Sequence, residues 1–262
     1  MSWWQALLLG LIQGLTEFLP VSSSGHLELG KALLNVEISE NLLFTVVVHI
    51  ATVLSTIVVF RKEIGRLFAG FFSKGKNDDK SFVWKLLLSA VPVALVGFLF
   101  KDYVDVLFDG RILLVGCMLL VTAAFLAVSY FVRKGDREIG WLDALIIGVG
   151  QAVAVMPGLS RSGTTIATGM MLGNKPSGLA KFSFLMVIIP VLGEMFLDLI
   201  KGDIFAAAGS IGAIPLSVGF LAAFLSGLFA CRWMIKLVSK GKLIWFAVYC
   251  VVIGIIAIIC GL

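Results

Sequence analysis

An all-α fold embedded in a bilayer is predicted by three features of this 262-residue sequence: a large excess of apolar residues, six long apolar runs, and two further apolar segments broken midway by Pro, Gly and Ser. The chain is 60% hydrophobic and 14% charged, with a mean hydropathy of +1.05. Soluble domains carry about 25% charged residues, so a surface built from this sequence cannot be kept in water.

The runs at about 41–60, 82–100, 112–132, 179–200, 213–231 and 243–260 approach the ~20 residues that a helix rising ~1.5 Å per residue needs to cross a ~30 Å hydrocarbon core. They predict six full transmembrane helices. The interrupted segments, 3–34 and 139–173, contain FLPVSSSGH and MPGLSRSGT. Non-helical backbone at membrane depth is tolerated only where protein or a water-filled cavity satisfies its N–H and C=O groups. Each break therefore marks a cavity, and each segment is expected to be a re-entrant helix-loop-helix hairpin.

The opening stretch MSWWQALLLGLIQGLTEFL lacks a basic n-region and an A-x-A site and carries Gln13 and Glu17, so mature structure is expected rather than a signal peptide. Trp3 and Trp4 read as interfacial anchors. Cys117, Cys231, Cys250 and Cys260 have no C-x-x-C spacing, which indicates neither a disulfide framework nor a zinc site; small buried hydrophobes are expected. The net charge of +5 comes without a basic stripe interleaved with aromatics, so no nucleic-acid partner is expected.

Basic residues set the topology instead, because cytoplasmic loops carry the excess of Lys and Arg. If both broken segments re-enter, one side holds 61–80, 133–137, Lys175, Lys181 and 232–242, with fifteen Lys and Arg, and the other only Lys31, Lys101, Arg111 and Lys201. Both termini are then outside.

The two broken segments align without a gap: Gly10, Gln13, Ser22, Ser24 and Gly25 return as Gly148, Gln151, Ser160, Ser162 and Gly163, a constant offset of 138 residues. Phe44, Val53 and Leu54 return as Phe182, Val191 and Leu192. The chain reads as a single membrane domain, 1–262, built from repeat 1 at about 1–135 and repeat 2 at about 139–262. Three crossings per repeat invert the second copy. Inverted repeats with broken helices place a site near the midplane, with half-helix N-termini aimed at anionic groups.

Gln13 and Glu17 are four apart and share a helix face. An ionisable residue inside an apolar segment costs ~2.5 to 3.5 kcal/mol on insertion scales, so Glu17 is expected to face a cavity or a partner. Arg161 is the Arg far from any loop at a span end. Its five-donor fork suits phosphate oxygens, and the hydroxyls and N–H groups beside it complete an anion nest. Pairing with Glu17 is compatible with that role. His49, in a smooth apolar run, reads as hydrogen-bonded core, and Glu194 as solvated or structural.

On these residues the chain resembles the undecaprenyl-diphosphate phosphatases, also called bacitracin-resistance proteins. Their signatures, (E/Q)-x-x-x-E followed by P-V-S-S-[ST]-G-H, and P-G-x-S-R-S-x-x-T, both stand here intact. Six specified residues in the second make a chance match on the order of one in 10^5 from average residue usage. The resemblance implies hydrolysis of the lipid-carrier diphosphate to monophosphate and inorganic phosphate on the outer face of the bacterial plasma membrane, which recycles the carrier for cell-wall synthesis and confers bacitracin resistance.

Carried over by position, the site comprises Gln13, Glu17, Ser23, His26, Ser160, Arg161 and Thr165, with Ser22, Gly25, Ser162 and Gly163 completing the substrate-binding loops. Ser23 would attack the terminal phosphoryl group, His26 handle the proton, Glu17 orient His26, and Arg161 stabilise charge. His26 as nucleophile is the rival. Gln13, in place of the commoner acid, is a weak metal ligand and no base, which argues against a two-carboxylate metal site; a divalent cation (Mg or Ca) and a homodimer stay open. A transporter or flippase of the polyprenyl phosphate carrier is the alternative function, since inverted repeats are transporter architecture.

Overall fold

The first helix begins at a reciprocal cap: the Ser2 hydroxyl accepts from the Gln5 N–H at 3.4 Å, and the Gln5 side chain accepts from the Ser2 N–H at 2.7 Å. The computed structural model, which describes residues 1–36, 41–75, 77–100, 103, 107, 111–132, 135–201, 211–241 and 243–261, without the side chains of 41, 42, 194 and 196–201, has twelve helices and no strand among the described residues. They are α1 (Trp3–Thr16), α2 (Ser23–Leu33), α3 (Asn41–Val59), α4 (Arg61–Phe72), α5 (Asp78–Leu99), α6 (Ile112–Phe131), α7 (Trp141–Val153), α8 (Arg161–Met171), α9 (Pro176–Met186), α10 (Ile188–Lys201), α11 (Ala213–Lys240) and α12 (Ile244–Gly261).

Both interrupted segments are helix, break, helix, as expected. Pro20 has no N–H to continue the α1 ladder, and α2 restarts where the Ser22 hydroxyl accepts from the Gly25 N–H at 3.2 Å. Ser160 caps α8 in the same way, accepting from the Gly163 N–H at 3.0 Å. Each pair turns back to where it began. The Gln5 amide at the start of α1 donates to the Leu34 carbonyl just past α2 at 3.0 Å. In the second pair Asn174 donates to Asp143 at 2.8 Å, and Arg137 donates to the Leu172 carbonyl at 2.8 Å.

Five helical stretches are long and apolar enough to cross a membrane: α5, α6, Pro176–Gly193, α11 and α12; the bent pair of α3 and α4 makes a sixth. The six predicted runs fall on them, and the chain is a multi-pass membrane protein. The bend, 75° at Phe60, was not expected. It comes where the apolar run ends and the charged stretch of Arg61, Lys62, Glu63 and Arg66 begins.

Helices approach closely through small residues, the usual solution where lipid is as apolar as the side chains. A Cβ on Gly10 of α1 would strike the Gly219 carbonyl of α11, and one on Gly148 of α7 the Ser89 carbonyl of α5. The helix that opens each hairpin thus packs on a long helix from the other half. α6 and α12 meet at Gly116 and Gly254. Between these layers lies a core that includes Phe18, Leu119, Phe182 and Met234.

Two expectations change. Cys231 and Cys250 are buried, but Cys117 and Cys260, on the outward sides of α6 and α12, are exposed. Lys31, counted as an outer loop residue, lies in α2 with 6% exposure; its ammonium donates to Glu28 at 3.0 Å and to Thr45 at 3.2 Å. A charge that deep requires such partners. Trp3 and Trp4 are exposed. Lys101 and the side chains of Lys201 and Glu194 lie outside the described residues.

Candidate active site where the two hairpin loops meet

The breaks after α1 and α7 touch. A Cβ on Gly25 would come within 2.9 Å of the Gly158 Cα, and one on Gly163 within 3.2 Å of the Pro20 Cβ. The Ser162 hydroxyl donates to the Leu19 carbonyl at 3.2 Å. Residues far apart in sequence are brought together because glycine at both contacts lets backbone meet backbone.

Glu17 is the hub of this contact. It caps the C-terminus of α1, its N–H donating to the Gln13 carbonyl at 2.9 Å, and its side chain is 8% exposed. Arg161, at the first position of α8, donates to Oε1 at 2.6 Å across 144 residues of sequence. Oε2 accepts from the Ser23 hydroxyl at 2.6 Å and from the Gln13 amide at 2.9 Å. A carboxylate taken out of water is thereby matched with one guanidinium and two further donors. The i, i+4 relation of Gln13 and Glu17 is realised, and so is the pairing of Arg161 with Glu17.

His26 is not oriented by Glu17. Its Nδ1 lies 2.8 Å from the Ser22 carbonyl oxygen and its Nε2 2.8 Å from the Tyr249 hydroxyl. One turn into α2, the ring faces α12 rather than α1. His49 does approach Glu17: Nε2 stands 4.0 Å from Oε2, while Nδ1 lies 2.8 Å from the Thr45 carbonyl oxygen. The expected backbone bond is present, but the residue borders the site instead of belonging to an inert core.

The remaining positions divide in two. Ser22 and Ser160 are buried caps, each close to the serine two positions on, Ser24 at 3.3 Å and Ser162 at 3.4 Å. Thr165 is buried with its hydroxyl on the Arg161 carbonyl at 2.9 Å and against the Ser183 hydroxyl at 2.7 Å, so it braces α8 rather than facing the loops. Thr122 of α6 carries no sequence signal and yet holds the second loop: its hydroxyl accepts from the Ser160 N–H at 2.9 Å and donates to the Gly158 carbonyl at 3.2 Å. Gly158 itself has φ 91°, and a Cβ there would strike the Val115 carbonyl.

A small cavity lies against Glu17 and Arg161, lined also by Thr52, Thr56, Ser162 and Ser183. Among the described residues no three His, Cys, Asp or Glu side chains gather as a metal site does. Nor does the donor set at Glu17 fit a divalent cation, since both oxygens already receive donors and one of these is the Arg161 guanidinium.

A profile of the family described as bacitracin resistance protein BacA matches residues 6–256. The chain is 56% identical to a protein of Parabacteroides distasonis named undecaprenyl-diphosphatase, over 100% of this chain and 99% of that one. It is 55% identical to one of the same name from Bacteroides fragilis, over 99% and 98%, and 38% identical to one from Methanobrevibacter smithii, over 96% and 95%. With its two loops joined through Glu17 and Arg161 and its sequence matched nearly from end to end, the chain belongs to the bacitracin resistance protein BacA family.

Proposed function

We propose that this protein hydrolyses undecaprenyl diphosphate to undecaprenyl phosphate and inorganic phosphate on the outer face of the bacterial plasma membrane, recycling the lipid carrier for cell-wall synthesis and conferring bacitracin resistance. The names of the relatives give the substrate class. One observation carries the chemistry: the Ser23 hydroxyl donates to a Glu17 oxygen at 2.6 Å while Arg161 holds the other oxygen.

In this reading the Ser23 oxygen attacks the terminal phosphorus and its proton passes to Glu17. The bridging P–O bond breaks and the prenyl phosphate leaves; water then hydrolyses the phosphoserine. Arg161 spends one N–H on Glu17, and its remaining donors, with the N–H groups opening α8, meet the equatorial oxygens. His26 is the weaker candidate for nucleophile, because both ring nitrogens are already engaged. Gln13 steadies Glu17, and Ser22, Gly25, Ser160, Ser162 and Gly163 shape the loops.

Both hairpins are re-entrant in this reading, supported by the hydrogen bonds that join the two ends of each. The chain is a repeat in this reading, supported by the helix bounds: α1 and α2 shifted by the 138-residue offset fall on α7 and α8 to within a residue, and three crossings per repeat would invert the second copy. That same pattern favours carrier transport as the second reading. Phosphate release by purified protein in detergent separates them, since a hydrolase liberates phosphate there and a transporter, lacking two compartments, liberates none.

A further inference from the structure

Tyr249 lies in α12, outside both signatures, yet its hydroxyl is 2.8 Å from Nε2 of His26 and its ring stacks on the imidazole with centroids 5.5 Å apart and planes 12° from parallel. Its place is fixed by packing rather than by chance rotamers. α12 is held against α6 where Gly116 and Gly254 bring backbones together, and the neighbouring Cys250 thiol lies 3.8 Å from the Pro20 carbonyl oxygen of the first loop. The helix is therefore pinned at Cys250 and Gly254, within about one turn and a half of the tyrosine.

The hydrogen bonds also decide the state of the ring. A carbonyl oxygen only accepts, so the 2.8 Å contact with the Ser22 carbonyl places a hydrogen on Nδ1 of His26. In the neutral imidazole Nε2 is then a bare acceptor, and the Tyr249 hydroxyl is the donor that meets it. Among the described residues no carboxylate is bonded to the ring: Glu17 is taken by Arg161, Ser23 and Gln13, and Glu28 pairs with Lys31. α6 offers no carboxylate or ammonium along its length.

We infer that Tyr249 is a positioning residue of the hydrolytic site. It holds His26 in the neutral tautomer with Nε2 as the acceptor of its hydroxyl, ready to receive a proton when a substrate oxygen or water displaces that hydroxyl. Tyr249 is 41% exposed, so the hydroxyl can be displaced without opening the core. The inference rests on the proton-handling role that the family resemblance implies for His26, beside the transfer of the Ser23 proton to Glu17 in the proposed reaction.

The chain has two histidines, so protein labelled with ¹⁵N-histidine and purified in detergent gives two sets of ring signals, assigned with His26→Ala. In the parent, His26 should show a proton-bearing Nδ1 and a hydrogen-bonded, unprotonated Nε2. In Tyr249→Phe, which keeps the stacked ring and loses the donor, the Nε2 signal should shift downfield while His49 stays put. Turnover of undecaprenyl diphosphate should fall about tenfold with KM changed less than twofold, as expected when a proton-transfer group loses its orientation. A His26 spectrum unchanged by Tyr249→Phe, or an unchanged kcat, overturns the inference. Parental turnover in His26→Ala overturns the reading beneath it, and is told apart because the ring shift in Tyr249→Phe would persist.

Discussion

Glu17 concentrates more of the site than any other side chain, and the sharpest tests act on it. Glu17→Gln keeps the shape but cannot accept the Ser23 proton, so phosphate release should drop at least about 10²-fold, the lower end for lost acid–base help. Ser23→Ala should abolish any phosphoenzyme trapped by rapid acid quench of a substrate labelled in its terminal phosphate; a phosphoenzyme in that variant excludes Ser23 as nucleophile. Arg161→Lys keeps the charge and loses the planar fork. Steady-state kinetics should then show kcat and kcat/KM falling together, the mark of a contact made in the transition state. A 10³-fold loss corresponds to about 4 kcal/mol; a rise in KM alone would reduce Arg161 to ground-state binding. What the residues disclosed in advance follows the same lines. The four-residue spacing of Gln13 and Glu17, and a lone Arg among hydroxyls, were readable because helix geometry and charge burial are local rules. His49, Thr122 and Tyr249 were not, because each acquires its partner only when distant helices pack.

At the level of helices, the two breaks were legible from Pro20, Gly158 and the serines around them, since Pro cannot continue a ladder and serine caps the next helix. The bend between α3 and α4 was not, because a hydropathy run registers where apolarity ends and not which way the chain then turns. Gly158 gives the clearest element-scale test. With φ at 91° and the Val115 carbonyl in the way of a Cβ, Gly158→Ala should cost roughly 1 to 3 kcal/mol of local strain. The expected result is a protein that still inserts, melts at lower temperature in detergent, and turns over substrate poorly because Ser160 and Arg161 follow the displaced loop. Parental activity in a variant of normal thermal stability would mean the loop is not held to this geometry.

Across the whole molecule, the constant offset between the halves anticipated matched helix bounds, whereas the exchange by which each hairpin packs on the other half's long helix could not be read from one strand of sequence. The charge count predicts that both termini face outward and that the end of α11 near Lys240 faces the cytoplasm. In a chain stripped of its native cysteines, a membrane-impermeant thiol reagent applied to intact cells should label Cys introduced at Ser2 and spare Cys introduced at Ser239. The reverse pattern would overturn the orientation. Lys76 and Asp105, useful for the same test, lie outside the described residues. The ion pair between Glu17 and Arg161 also has a history in biogenesis. The two residues are 144 positions apart, and synthesis proceeds at about 5–20 residues per second, so the nascent first hairpin waits roughly 7 to 30 s for its counter-charge. Throughout that interval a carboxylate held only by Ser23 and Gln13 sits without its counter-charge in a segment where a charged group costs about 2.5 to 3.5 kcal/mol. Assembly of the centre is therefore a late step of maturation. A chain truncated after residue 155 should be cleared by membrane proteases faster in pulse–chase than one carrying Glu17→Leu, and one extended past α8 should escape that difference.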